Sequence, residues 1–126
     1  MKVIKLLLIL LVLQSCANMV IPNGGQKDMA TPILKSNNLS PLNFNERTIK
    51  LTFNEYVVLN EPNKNITIQP NHTTFKTELS GKTILIKLDS ILHPNTTYSL
   101  AVDNGVKDVN EGNNFNYKYI FSTGNY

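Results

Sequence analysis

The sequence contains no tryptophan, a single cysteine and only two histidines. The lack of tryptophan removes the flat indole platform on which many sugar-binding proteins stack their ligands. The two histidines, His72 and His93, each stand beside a turn, without a second cysteine or a cluster of carboxylates nearby. A zinc site would therefore lack ligands, and no metal-binding histidine is predicted.

Residue patterns that support catalysis are also absent. There is no Ser, His and Asp trio with a nucleophile elbow, no paired carboxylates in an evident cleft and no glycine-rich phosphate loop. The segment 103–113 is rich in oxygen ligands, but it lacks the ordered spacing of a calcium loop and contains Lys107. Asp, Asn and Gly are also what tight turns use. We therefore predict that the protein is not an enzyme and binds no cofactor or metal.

Only one long apolar run occurs, and it lies at the start of the chain. Lys2 and Lys5 precede an unbroken run over Leu6–Leu13, and Gln14 and Ser15 then lead into Cys16. A positive region, an apolar region and a small residue at the cut predict a signal peptide over residues 1–15. The order Leu-Gln-Ser-Cys resembles the bacterial lipobox, which implies a diacylglyceryl thioether on Cys16 and acylation of its freed amine.

Three alternatives compete with lipidation of Cys16. A transmembrane anchor needs about 20 apolar residues, roughly twice the run present here. An ordinary secretory signal would leave Cys16 as an unpaired free thiol. The third alternative is a buried structural cysteine, but the polar, glycine-containing sequence that follows Cys16 offers no core to bury it. One acyl chain holds a protein marginally, whereas two or three hold it firmly. We therefore predict a lipid anchor on Cys16 as the contact with the membrane.

The remaining 111 residues suffice for one domain with a modest core. Loss of Lys2 and Lys5 leaves ten basic and nine acidic residues, or a net charge of +1, which gives no electrostatic case for nucleic acid. Residues 16–31 are polar and interrupted by proline and glycine, so they are predicted to form a tether. Residues 32–126 are predicted to form the folded domain.

Apolar residues in that domain alternate with period two, in segments separated by Gly, Pro and Asn about every ten residues. No helix is predicted outside the signal peptide. Seven short strands without covering helices predict an all-β, seven-stranded antiparallel sandwich of immunoglobulin type. The Cys-Trp-Cys pattern of antibody domains is absent. The predicted strands are 33–34, 47–59 with a bulge at 54–55, 66–68, 73–79, 83–88, 97–103 and 116–122.

The segment Leu92–Tyr98 carries a local signature of this fold. Leu92, Pro94 and Tyr98 have the Leu-x-Pro-x-x-x-Tyr spacing of a tyrosine corner. In such a corner the phenol hydroxyl bonds to backbone a few residues upstream. The alternative is a tyrosine that simply packs within a strand.

Six segments of the chain contain motifs: Cys16-Ala17-Asn18, residues 22–28, Leu51–Val57, Asn95–Tyr98, Asp108 with Glu111–Asn113, and Phe121–Gly124. Together these motifs resemble the S-layer-protein-type bacterial Ig-like domain found in envelope lipoproteins of Bacteroidetes. The resemblance covers nearly the whole chain and implies an adhesive or spacer module with no assigned reaction, catalytic residue or binding residue. Similar proteins continue well beyond the Phe-Ser-Thr-Gly strand, so an N-terminal remnant of a longer multidomain lipoprotein is a further alternative.

Two further expectations come from resemblance. Asp89-Ser90-Ile91 is similar to the acceptor motif of Bacteroidetes O-glycosylation, which implies a glycan on Ser90. Residues 17–20 lack the acidic cluster of a Bacteroidetes surface-export signal. The protein is therefore expected on the periplasmic side of the outer membrane.

We predict that the protein is a lipid-anchored, non-catalytic module that contacts an envelope protein. Its expected contacts are the strand edges at residues 33–35 and 66–69, because unpaired edges can accept another strand. The alternative is a glycan-binding module that uses tyrosines as stacking residues, although their alternation favours the core. Those tyrosines are Tyr56, Tyr117, Tyr119 and Tyr126.

Overall fold

The computed structural model describes residues 3, 24–26, 28–70 and 73–125. The signal peptide and Cys16 thus lie outside the described residues, apart from residue 3. The described part contains eight strands and one short helix between them. No helix in this part of the chain is long and apolar enough to cross a membrane. The elements are β1 (Leu34–Asn37), β2 (Thr48–Phe53), β3 (Val57–Leu59), α1 (Pro62–Asn65), β4 (Ile66–Gln69), β5 (Phe75–Ser80), β6 (Thr83–Leu88), β7 (Thr97–Asp108) and β8 (Asn114–Ser122).

The strands form two antiparallel sheets. The first has the order β1-β2-β6-β5. In the second, β8 pairs along one edge of β7, while β3 and β4 pair with separate halves of the other edge. The strand order is that of a constant-type immunoglobulin sandwich, whose third strand is here divided into β3 and β4. The predicted antiparallel Ig-like sandwich is confirmed, with eight strands in the described residues instead of seven.

The chain changes sheets between β2 and β3, so the prediction of one continuous strand over 47–59 is wrong. Phe53 is buried in the first sheet, and Val57 is buried in the second. Asn54 fixes the crossing, because its side-chain oxygen accepts from the Ile33 N–H at 2.8 Å and its own N–H donates to the Ile33 carbonyl at 2.9 Å. The two buried residues are four apart, so period-two alternation continues across the crossing and conceals it.

The helix α1 is also a departure from the prediction of no helix. Its single turn starts at Pro62, whose fixed φ suits the first helical position. It fills the space between β3, which ends opposite Val106, and β4, which begins opposite Val102. Gly105 passes close to this insertion, since a Cβ there would lie 2.9 Å from Ile66 Cγ1.

The strand β7 continues to Asp108, five residues beyond its predicted end. Asn104 and Gly105, which suggested a turn, form a bulge within the strand, where Asn104 has a left-handed φ of 59°. The Asn104 N–H donates to the Asn116 side-chain oxygen at 2.8 Å and so keeps β8 attached. Pairing resumes at Val106, which is fully buried. Long-range pairing thus overrides the local turn signal.

The core lies between the two sheets and is closed by aromatic contacts. The ring centroids of Phe53 and Phe115 are 4.9 Å apart, those of Phe44 and Phe121 are 5.0 Å apart, and those of Tyr98 and Phe121 are 5.7 Å apart. Burying each large apolar side chain contributes about 1.5–3 kcal/mol. The buried apolar residues are Phe44, Ile49, Leu51, Phe53, Val57, Ile66, Ile68, Ile84, Ile86, Leu88, Tyr98, Leu100, Val102, Val106, Phe115 and Phe121.

The strand registers place the connections at two opposite ends of the sandwich. The pairs Leu34 with Phe53, Thr52 with Thr83 and Val57 with Asp108 bring three connections between strands, and the segment before β1, to one end. We call this the lower end; it contains residues 28–33, 54–56, 81–82 and 109–113. The upper end contains residues 38–47, 89–96 and 123–125.

Candidate functional site

The predicted tyrosine corner lies at the upper end. Tyr98 is buried, and its hydroxyl oxygen accepts from the His93 backbone N–H at 2.9 Å. Leu92 packs half-buried against the core, and Pro94 is exposed in the turn between them. The Thr123 hydroxyl donates to the His93 carbonyl at 2.7 Å and ties the same turn to the end of β8. The three residues therefore have the arrangement that their spacing indicates.

We predict that Tyr98→Phe destabilises the domain by about 1 kcal/mol, a typical net hydrogen bond, because the His93 N–H loses its partner. Leu92→Ala should cost about 2 kcal/mol, the lower part of the range for leucine truncation, because the side chain is only half-buried. Equilibrium denaturation measures both, with Tyr56→Phe as control for an exposed hydroxyl. Negligible costs at both positions would remove the argument for a stabilising corner.

Ser90, the predicted O-glycosylation residue, is exposed in the bend that follows β6 at the upper end. Its neighbour Ile91 is 79% exposed, and the Asp89 carbonyl accepts from the Arg47 guanidinium at 3.1 Å. The Ser90 hydroxyl is thus on a fixed, accessible bend. Its glycosylation stays a prediction.

The segment 103–113 is organised around the carboxylate of Asp108, not as a loop open to a cation. Asp108 is buried, and its two oxygens accept from the backbone N–H groups of Glu111, Gly112 and Asn113. Across the described residues, no three His, Cys, Asp or Glu side chains are grouped closely enough to hold a metal ion. The hydrogen bonds of His93 in the tyrosine corner involve its backbone N–H and carbonyl. His72 lies outside the described residues.

The same hydrogen bonds perturb the acid–base behaviour of Asp108. Burial acts to raise its pKa, but the three backbone N–H donors stabilise the charged form, and the net effect lowers the pKa below its ordinary value of 3.8. Because the pKa is lower in the folded state, the ionised Asp108 carboxylate stabilises the folded domain at pH values above the ordinary pKa. The stability is lost as the pH falls through the folded pKa.

We therefore expect Asp108→Asn to be less stable than the natural protein near neutral pH, with a difference that shrinks in acid. Denaturation curves from about pH 6 to about pH 2 test this. Asp103→Asn, an exposed change on the same strand, is the matched control. A difference that stays constant down to the lowest pH would show that the ionised carboxylate does not supply the stability.

The β7–β8 turn also holds the N-terminal part of the described chain. The Asn113 side-chain amide donates to the carbonyls of Asp28 at 2.9 Å and Ala30 at 3.0 Å. The Asp28 carboxylate accepts from the Ala30 N–H at 2.8 Å. The last residues of the predicted tether 16–31 are thus bound to the lower end of the domain. The boundaries of the signal peptide and tether stay predictions.

Within the described part of the chain, the tyrosines of the glycan alternative do not form one exposed platform. Tyr117 and Tyr119 are half-buried on the inner face of β8, with centroids 6.1 Å apart and planes inclined by 26°. Burial, with a smaller contribution from Tyr119, raises the pKa of Tyr117. Tyr56 lies separately at the lower end and is 62% exposed, while Tyr126 lies outside the described residues. Among the described members of this set, Tyr117 and Tyr119 are the one pair that stacks together.

The sheet edges include the two that the sequence indicated and others that it did not. β1 is an edge of the first sheet, and β4 lies at an edge of the second. β5 forms the other edge of the first sheet, with six residues, and β3, with three residues, shares one edge of the second sheet with β4. β8 forms the opposite edge of the second sheet and, with nine residues, is the longest of these edge strands. Its alternation resembled that of an internal strand. The sequence contains no signal that distinguishes an edge strand from an internal strand here.

Two antiparallel sheets in this strand order define the class of protein as an immunoglobulin-like domain. A family model described as bacterial Ig-like domain matches residues 22–123, and the chain belongs to that family. No curated protein matches the sequence.

Two solved structures of S-layer proteins share the fold. The N-terminal part of the bacterial S-layer protein SbsC is 21% identical with a TM-score of 0.50, and the match covers 74% of this chain and 24% of that one. The S-layer protein rSbsC(31-844) is 22% identical with a TM-score of 0.53, with 75% and 14% covered. The chain therefore spans a quarter or less of the length of these S-layer chains.

Proposed function

We propose that the protein is a lipid-anchored, non-catalytic Ig-like module of the bacterial envelope that binds a protein partner through a sheet edge. Family membership and the S-layer likeness support a structural module. The lipobox sequence ending at Cys16 supports an anchor in the outer membrane, with the domain facing the periplasm.

The free edge of β8 is the observation that supports protein binding. At Ser122 the backbone N–H donates to the Pro41 carbonyl and the backbone C=O accepts from the Phe44 N–H, both at 2.9 Å. Ser122 therefore directs its backbone groups away from β7. In antiparallel pairing the direction of the backbone groups alternates with period two. The backbone N–H and C=O groups of every second residue before Ser122 therefore also point away from β7. These residues are Asn114, Asn116, Lys118 and Ile120.

The four outward-facing residues present backbone N–H and C=O groups along about 20 Å of strand. Within the described residues, the backbone hydrogen bonds on this side of β8 involve Ser122 alone. The chemistry that satisfies such groups is another extended polypeptide, which adds as a strand. Side chains of Asn116, Lys118 and Ile120 are exposed beside the edge and supply specificity.

The edge is also protected against indiscriminate pairing. Residues 41–44 cover its upper end through the bonds to Ser122, and Lys118 places a charge at its centre. Charged side chains and short accessible segments are how natural sheets limit edge-to-edge association. A specific and weak partner is therefore expected.

Lys118→Pro tests this proposal, because proline removes one outward N–H without removing a bond to β7. Edge strands tolerate proline where the N–H faces solvent, and the preceding Tyr117 is already extended, as proline requires. We expect the variant to fold and to lose its cross-linked partner in intact cells. Lys118→Ala, which keeps the N–H, should retain the partner.

Thermal unfolding of both variants shows whether the domain is intact. If the folded Lys118→Pro variant keeps the same cross-linked partner, β8 is not the contact, and the edges at β1, β3, β4 and β5 become the ones to test. Loss of the partner in Lys118→Ala as well would assign binding to the lysine side chain and not to strand addition.

The glycan alternative is supported by the stacked pair of Tyr117 and Tyr119 at the margin of the core. Aromatic faces bind sugars, but these two rings are half-buried against the core, and the Tyr117 ring stacks on Phe115 with centroids 5.7 Å apart. Glycan-array binding that is lost in Tyr119→Ala and unchanged in Lys118→Pro would favour the alternative over a protein partner.

A further inference from the structure

The lower end of the sandwich exposes four large apolar side chains. Met29 is 71% exposed, Ile33 61%, Tyr56 62% and Val109 54%. They come from three separate connections of the fold: the segment before β1, the crossing from β2 to β3, and the β7–β8 turn. We call these four side chains the lower-end cluster.

Hydrogen bonds hold these connections beside one another. Asn113 binds the carbonyls on either side of Met29 and thus joins that segment to the turn containing Val109. Ile33 exchanges two hydrogen bonds with Asn54, two residues before Tyr56. The cluster is therefore a surface of fixed elements.

The charges around the cluster have both signs. Lys82 lies over the Tyr56 ring, with its Nζ 5.3 Å from the centroid, and its ammonium also reaches the Asn54 carbonyl. Asp28, Glu55 and Glu111 provide carboxylates at the same end. This mixture does not favour a strongly anionic surface. It is compatible with a zwitterionic one, in which tyrosine and lysine place their apolar parts in the interface and their polar ends in water.

The path of the N-terminal chain indicates what faces this end. Eleven residues separate Cys16 from Asp28, a distance of at most about 40 Å at 3.3 Å per residue. The twelve-residue strand β7 is itself about 40 Å long. With the upper end toward the membrane, the chain would have to run the whole length of the domain fully extended. With the lower end toward the membrane, no such extension is needed.

We propose that the lower-end cluster is a membrane-contact surface that seats the domain on the zwitterionic lipid interface with its upper end pointing away. The inference rests on the proposed lipid anchor at Cys16, which brings the lower end to the bilayer. Seating in this orientation directs the edge of β8 sideways along the membrane. It also places Ser90 and the tyrosine corner at the far end.

The absence of natural tryptophan permits a test with single tryptophan reporters. Full-length lipidated protein carrying Tyr56→Trp is reconstituted in phosphatidylcholine vesicles with and without brominated acyl chains. Tryptophan keeps the stacking of Lys82. Val109→Trp is a second reporter in the cluster, and Ile91→Trp, at a side chain 79% exposed at the upper end, is the control.

We expect both lower-end reporters to emit at shorter wavelength on vesicles and to be quenched by brominated lipid, and the Ile91→Trp reporter to show neither effect. Vesicle flotation reports on the anchor separately. Protein that floats but leaves all three reporters unquenched overturns the membrane-contact surface while the anchor stands. Quenching at Ile91→Trp in place of the lower-end reporters overturns the orientation. Protein that fails to float overturns the anchor and this inference with it.

Discussion

Cys16→Ala is expected to abolish acylation and, with it, the lipid anchor. Only a thiol can form the thioether, and the chain has no second cysteine to take its place. The apolar run of the signal is about half the roughly 20 residues that a membrane span requires. The lower-end cluster contacts lipid in our proposal but does not anchor the domain. The expected change is therefore from acylated protein in the detergent phase to protein that is soluble or still carries its signal peptide.

Detergent partitioning and metabolic labelling with a fatty acid measure this change. Asn18→Ala, two residues beyond the cysteine, is the matched control and should partition and label like the natural protein. A Cys16→Ala protein that has lost its signal peptide and still resides wholly in the lipid fraction would refute the lipid anchor.

Phe53→Ala should have the largest effect on folding. Phe53 is 1% exposed, ends β2 and packs its ring edge-to-face on Phe115 of the opposite sheet. Truncation of a buried phenylalanine costs about 3–5 kcal/mol, a large part of the roughly 5–15 kcal/mol that stabilises a domain. We expect a partly unfolded population in this variant under mild conditions.

Equilibrium denaturation followed by far-ultraviolet circular dichroism measures the loss. Lys50→Ala is the control on the same strand, because Lys50 is exposed on the outer face and its change should stay within about 0.5 kcal/mol. A cost below about 1 kcal/mol at Phe53 would mean that the two sheets are not joined through this ring pair.

Local patterns predicted most of the strands. β6 occupies Thr83–Leu88, the range that its alternation indicated, and the inward residues Ile84, Ile86 and Leu88 are all buried. The spacing of Leu92, Pro94 and Tyr98 likewise indicated a hydrogen bond that the structure contains at the His93 N–H. Both signals lie within a few residues of chain, so sequence alone can express them.

The candidate surfaces were much less predictable. The two edges at 33–35 and 66–69 were anticipated from their proline and polar flanks, and both lie at sheet edges. The edge of β8 was not anticipated, because an alternating strand has the same pattern whether one or both of its edges are paired. The lower-end cluster was missed for a related reason. Its members are isolated apolar residues in three connections, and only the fold brings them to one end.

The sequence by itself determined that this protein is a chain of alternating β-strands, with one cysteine directly after an apolar N-terminal segment. Period-two alternation and turn residues act over a few positions, so they specify strands and the faces that they bury. The tertiary structure decided where the chain crosses between sheets after Phe53, that β7 continues through a bulge to Asp108, and that Asn113 binds the segment at Asp28. These features depend on pairings between residues far apart in the chain, whose energies no local pattern records.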